Sequence, residues 1–125
     1  MKGYRILIVE DDPSVLEACC RIVRPEGMLV RTAVNAGDAM DLVQDEIFDV
    51  VLTDLKMPGQ DGLALAAAIR EIRPELPVLA MTGYMPETTA GQVEKYVAGF
   101  VPKPFTPDEL LSVMRRVLGQ TGPRE

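Results

Sequence analysis

The sequence predicts an α/β domain, a parallel sheet with helices packed on its faces. Three observations carry that expectation. Short β-branched and apolar runs alternate with longer segments of helical period, the sign of βαβ units. The 125 residues give room for one continuous core and none for a second domain. Hydrophobic residues make up 47% and charged residues 26%, a globular composition and not a disordered, collagenous or membrane one.

Five runs read as strands: Ile6-Leu7-Ile8-Val9, Leu29-Val30-Arg31-Thr32, Val50-Val51-Leu52-Thr53, Val78-Leu79-Ala80-Met81 and Phe100-Val101. A charge interrupts the second, and the fifth ends at Pro102, which lacks a ladder donor. Both are therefore expected at sheet edges.

The first helix uses Asp12 as N-cap and Pro13 as its first residue, with Val15, Cys19, Ile22 and Val23 on one face. Asn35 caps a second helix carrying Ala39, Met40 and Val43. A third begins after Gly62, buries Leu65, Ile69 and Ile72, and stops before Pro74. The last opens with Thr106-Pro107-Asp108-Glu109, a capping box, and runs through Leu110, Met114 and Val117 to Gly119. Between the last two strands, Pro86 to about Tyr96 is a weaker helix, because Thr88, Thr89 and Gly91 are poor formers. Residues 1–119 make up the domain, and 120–125 are a tail or the start of a linker.

Apolar runs are only a few residues long and no cleavable apolar segment precedes the first strand, so a cytoplasmic, membrane-free location is expected. Cys19 and Cys20 project about 100° apart on a helix and read as reduced packing residues. A net charge of −6 argues against nucleic-acid binding. The absence of histidine removes imidazole catalysis and ligation, so any cation site must use oxygen ligands.

In a parallel sheet with right-handed crossovers, the residues just after each strand gather on one edge. Glu10, Asp11 and Asp12 follow the first strand, Asp54 the third, Thr82 the fourth and Lys103 the fifth. Taken singly, each has a plainer reading: Asp54 a turn residue, Asp12 an N-cap, Thr82 a turn residue before Gly83, Lys103 a solvated lysine. Their shared edge changes that reading. Carboxylates from neighbouring strand tips repel unless a cation lies between them, and Mg²⁺ suits hard oxygen ligands, with Mn²⁺ as a substitute. An ion, a carboxylate nucleophile, a hydroxyl and an ammonium without a general base fit phosphoryl transfer, which relies on positioning and charge neutralisation.

Ile8-Val9-Glu10-Asp11-Asp12, Leu52-Thr53-Asp54-Leu55-Lys56-Met57-Pro58-Gly59, Asp61-Gly62, Met81-Thr82-Gly83 and Lys103-Pro104-Phe105 together resemble the receiver domain of two-component response regulators, of the chemotaxis-regulator kind. A receiver of a hybrid histidine kinase would carry the same pattern. The resemblance implies a flavodoxin-like (βα)5 three-layer sandwich with strand order 2-1-3-4-5. It implies that Asp54 takes a phosphoryl group from a phosphohistidine on a histidine kinase or histidine phosphotransfer domain. Such a chain is a switch that assists its own phosphorylation and dephosphorylation, not a metabolic enzyme.

By the same resemblance Asp11 is the direct magnesium ligand, Glu10 acts through water, and Asp54 and the main-chain carbonyl of Lys56 complete the protein's share. Thr82 and Phe100 are the switch pair, Lys56 and Tyr84 tune phosphoryl lifetime, and the Lys103-Pro104 bond is cis. Phosphorylation is expected to draw Thr82 toward the new group, move Phe100 inward and rearrange the weak helix. The downstream effector, or a phosphorylation-dependent dimer, would then meet the weak helix, the last strand and the last helix. Three other readings compete. A phosphorylation-independent interaction module has no need of the intact acidic set. A haloacid-dehalogenase-type phosphatase wants a second Asp where Lys56 stands, and a nucleotide or flavin module wants a Gly-rich first turn.

Overall fold

Ile6, Leu7, Ile8 and Val9 are wholly buried, so this run sits inside a sheet covered on both faces. A computed structural model, which describes residues 1–57, 60–83 and 95–121, makes it the inner strand β1 (Arg5–Val9). The other strands are β2 (Leu29–Ala33), β3 (Val50–Asp54), β4 (Val78–Thr82) and β5 (Gly99–Pro102). All pairings among them are parallel, and the order is 2-1-3-4-5, as the resemblance implies. The charged second strand and the proline-ended fifth are the two edges.

Alternation along β1 splits the core into two layers. Ile6 and Ile8 pack with Cys19, Val23, Leu110 and Met114, whereas Leu7 and Val9 pack with Ala39, Val43, Leu65 and Ile69. Helices α1 (Pro13–Val23) and α4 (Pro107–Thr121) therefore cover one face, and α2 (Ala36–Asp45) and α3 (Gly62–Ile72) the other. The expected caps are formed: the Ser14 N–H donates to Asp12 Oδ1 at 2.9 Å and the Asp38 N–H to Asn35 Oδ1 at 2.7 Å. At α4 the capping box closes both ways, Thr106 N–H to Glu109 Oε1 at 3.0 Å and Glu109 N–H to Thr106 Oγ1 at 3.1 Å.

Three details differ from expectation. Helix α4 runs on past Gly119 to Thr121, because a helical glycine costs only about 1 kcal/mol and does not by itself end a helix. Ile72 is only partly buried, since it is the last residue of α3 at the rim of the core, and Ala66 takes a fully buried place. Lys56–Met57 and Gln60–Asp61 form a small antiparallel ribbon between β3 and α3.

Of the weak helix expected from Pro86 to about Tyr96, residues 84–94 lie outside the described residues, and Lys95 and Tyr96 are helical. Tyr84 and residues 122–125 of the expected tail also lie outside them. Both cysteines are buried and free, as expected of packing residues. Among the described residues no helix is long and apolar enough to cross a membrane.

Candidate functional site

The strand tips converge as the topology requires. Glu10 follows β1, Asp54 ends β3, Thr82 ends β4, and Lys103 follows β5. Glu10, Asp54 and Thr82 are all buried, an unusual place for carboxylates without partners.

Lys103 supplies the partner. Its Nζ donates to Asp54 Oδ2 at 2.8 Å and to Glu10 Oε1 at 2.9 Å, so one ammonium bridges the tips of β1 and β3. The main chain of Lys103 is fixed as well: its N–H donates to the Thr82 carbonyl at 2.8 Å, and the Lys103-Pro104 bond is cis. The remaining carboxylate oxygens accept from main-chain donors, Glu10 Oε2 from Asp12 N–H at 3.2 Å and Asp54 Oδ1 from Lys56 N–H at 2.9 Å. These two N–H groups have no counterpart in the sequence reading, because a main-chain donor leaves no mark in residue identity.

Burial pushes the Glu10 carboxyl above its ordinary range; Lys103 and the Asp12 N–H pull it down, and the Asp54 carboxylate pushes it up again. For Lys103, burial works against the charge, yet the hydrogen bonds to Asp54 and Glu10 outweigh it and hold the ammonium above its ordinary value. The ammonium is therefore retained, while the Glu10 carboxyl holds a proton more readily than a free one.

Carboxylate oxygens of Glu10, Asp11 and Asp54 lie within 4.8 Å of one another. When ionised, three carboxylates face one ammonium, a deficit of two positive charges that a divalent cation matches. The donors are all hard oxygen, so the residues fit Mg²⁺. Asp12 is not part of that cluster; its Oδ1 accepts from the Ser14 N–H at the start of α1. Phe100 pairs in register with Ala80 and, partly buried like Leu63 and Val97, packs against the small cluster of Leu55 and Ala80, just behind the β3 and β4 tips.

A family model described as the response regulator receiver domain matches residues 6–115. Among curated proteins, the DNA-binding transcriptional regulator NtrC of Proteus hauseri is 36% identical over 121 residues, 94% of this chain and 25% of its own length. Response regulator MprA of Mycobacterium sp. (strain KMS) is 36% identical over 97% of this chain and 53% of its own. The chain thus spans between a quarter and about half of these relatives. Among solved structures, a CheY-like receiver domain protein from Methanospirillum hungatei JF-1 superposes with a TM-score of 0.90 at 28% identity, covering 94% of this chain and 95% of that one.

Proposed function

The chain belongs to the response regulator receiver domain family, and from that premise we propose that Asp54 accepts a phosphoryl group from a phosphohistidine on a partner histidine kinase or phosphotransfer domain. As a receiver the chain is a signalling switch of two-component pathways and not a metabolic enzyme. The observation that supports Asp54 most directly is the Lys103 ammonium 2.8 Å from its Oδ2, a fixed positive charge where phosphoryl oxygens would gather.

In the transfer, an Asp54 carboxylate oxygen attacks phosphorus in line as the phosphorus–nitrogen bond breaks. The electron pair leaves with the imidazole nitrogen of the donor, and Asp54 gives up no proton, so no base is needed. Lys103 turns from the carboxylate to the phosphoryl oxygens, and the Thr82 hydroxyl donates to another. Glu10 through water, Asp11, Asp54 and the Lys56 carbonyl would hold Mg²⁺, which neutralises charge on the phosphoryl oxygens when bound. Thr82 and Phe100 pass the change to the face of β5 and α4, where an effector or a second copy docks. Residues 1–119 carry this function, with 120–125 leading out of the domain, and the cytoplasm is where such donors are met.

The test is intact mass after incubation with acetyl phosphate and Mg²⁺, comparing wild type with Asp54→Asn. One phosphoryl adduct on wild type and none on the variant is expected. No adduct on wild type, or equal adducts on both, would sink the reading.

A further inference from the structure

Gly62, the first residue of α3, lies against the main chain of the residue proposed to react. A Cβ built on it would meet the Leu55 Cα at 2.6 Å and the Asp54 carbonyl carbon at 3.0 Å, and would press still closer on the Asp54 carbonyl oxygen. Those are backbone atoms at the buried end of a central strand, with no side-chain rotamer to give way. The contact is also bonded: the Gly62 N–H donates to the Leu55 carbonyl at 3.1 Å, while the Leu55 N–H donates to the Met81 carbonyl at 3.0 Å. Leu55 is thus held between α3 and β4.

Between Leu55 and Gly62 runs the small ribbon, in which Lys56 pairs with Asp61. Lys56 is the residue whose N–H donates to Asp54 Oδ1 at 2.9 Å. One end of the ribbon therefore touches the reacting carboxylate, and the other ends at Gly62.

We propose that Gly62 is a positioning residue for phosphoryl transfer: its missing Cβ lets α3 close on Asp54 and Leu55 and so sets where the Asp54 carboxylate and the Lys56 main chain stand. The inference rests on the phosphoacceptor reading above and adds a residue that touches neither ion nor phosphoryl group. Adding a methyl forces the Asp54–Leu55 backbone away by a distance comparable to the ~1 Å misplacement that can cost ~100-fold in rate.

The experiment compares wild type, Gly62→Ala and Gly99→Ala. Gly99, at the start of β5, is a steric control, because its added Cβ would meet the side chains of Leu79 on β4, Cδ2 at 2.8 Å, and Val113 on α4, Cγ1 at 2.9 Å. Folded fraction is fixed by urea denaturation, the rate of adduct formation with acetyl phosphate by intact mass, and Mg²⁺ affinity by calorimetry. Per folded molecule, Gly62→Ala should lose about tenfold or more in adduct rate and weaken Mg²⁺ binding, whereas Gly99→Ala should lose stability alone. Wild-type rate and affinity in Gly62→Ala, or equal losses in both variants, would overturn the inference. A second measurement holds even if Gly62→Ala does not fold. In the wild type, Mg²⁺ should slow amide exchange at Gly62 together with Lys56, and an unchanged rate at Gly62 while Lys56 slows would overturn it too. Failure of the wild type to form any adduct would instead strike the phosphoacceptor reading.

Discussion

Lys103 Nζ sits 2.8 Å from Asp54 Oδ2 although 49 positions separate the two residues in the chain. The same nitrogen holds Glu10 at 2.9 Å. Two buried carboxylates thus depend on one cation that is itself 22% exposed.

Lys103→Met is expected to destabilise the metal-free protein at neutral pH. Removing one partner of a buried pair costs ~3–5 kcal/mol, and partial exposure of the ammonium lowers this to roughly 2 kcal/mol here. The sign with pH follows from Glu10. Its carboxyl is raised above 4.5, so its contribution to stability is fullest below that value and is lost as pH rises through the folded value. Lys103→Met enlarges that loss, so urea midpoints should fall more at pH 7 than near pH 4. Mg²⁺ should recover part of the loss at pH 7. Equal falls at both pH values would contradict the argument.

The adjacent acids Asp11 and Asp12 should part company on substitution. Asp12 caps α1 through the Ser14 N–H, so Asp12→Ala should cost about 1 kcal/mol in urea denaturation and leave Mg²⁺ affinity within about threefold of wild type. Asp11 belongs to the carboxylate cluster and is more open to solvent than the buried Glu10 and Asp54. Asp11→Ala should change stability little and weaken Mg²⁺ binding about tenfold or more by calorimetry. A similar loss of Mg²⁺ affinity in both variants would refute the division of roles.

Why the sequence discloses this edge, and where it stops, can be read residue by residue. The apolar runs and the caps at Asp12, Asn35 and Thr106 are local signals, and the helices begin where those residues stand. The convergence of Glu10, Asp54, Thr82 and Lys103 needs only the rule that parallel strands share a direction. Contacts made by the main chain are another matter. The N–H groups of Asp12 and Lys56 bond carboxylates whatever side chains they carry. The ribbon strands Lys56–Met57 and Gln60–Asp61 are two residues each, too short to show a period in the sequence. Gly62 reads from sequence as the residue before a helix and as part of the Asp61-Gly62 motif, and only its approach to Leu55 and Asp54 tells what it positions. Gly119 misleads in the opposite direction, as α4 continues through it.

Cys19 should resist alkylation in the native protein. Burial pushes its thiol up to about 12, and the Glu10 and Cys20 charges add to the effect. At pH 8 the native chain should react with iodoacetamide at Cys19 at least about tenfold more slowly than the urea-unfolded chain, read by peptide mapping. Since the folded value lies above the ordinary 9.0, this thiol's contribution to stability is full below that pH and lost as pH rises toward 12. Cys19→Ala should therefore flatten the decline of stability above pH 9 relative to wild type. Fast native labelling at pH 8 would show the site to be open.

Phe100 is placed to report the state of Asp54. It pairs with Ala80 on β4, two residues before Thr82, and packs against the cluster that Ala80 forms with Leu55, one residue after Asp54. A phosphoryl group that draws Thr82 toward Asp54 must disturb the wall on which the ring rests, and an apolar ring carries no hydroxyl that must find a new partner. Binding of a phosphoryl analogue with Mg²⁺ should thus change amide exchange in β5 and at the start of α4. In Phe100→Ala the adduct rate should stay within about threefold of wild type, because an apolar ring supplies neither charge nor hydrogen bond to the reacting groups. The exchange change should shrink, and stability should fall by roughly 2 kcal/mol, less than the ~3–5 expected for a fully buried Phe. Unchanged exchange on that face in the wild type would count against the switch, and a full response in Phe100→Ala would move it to another residue.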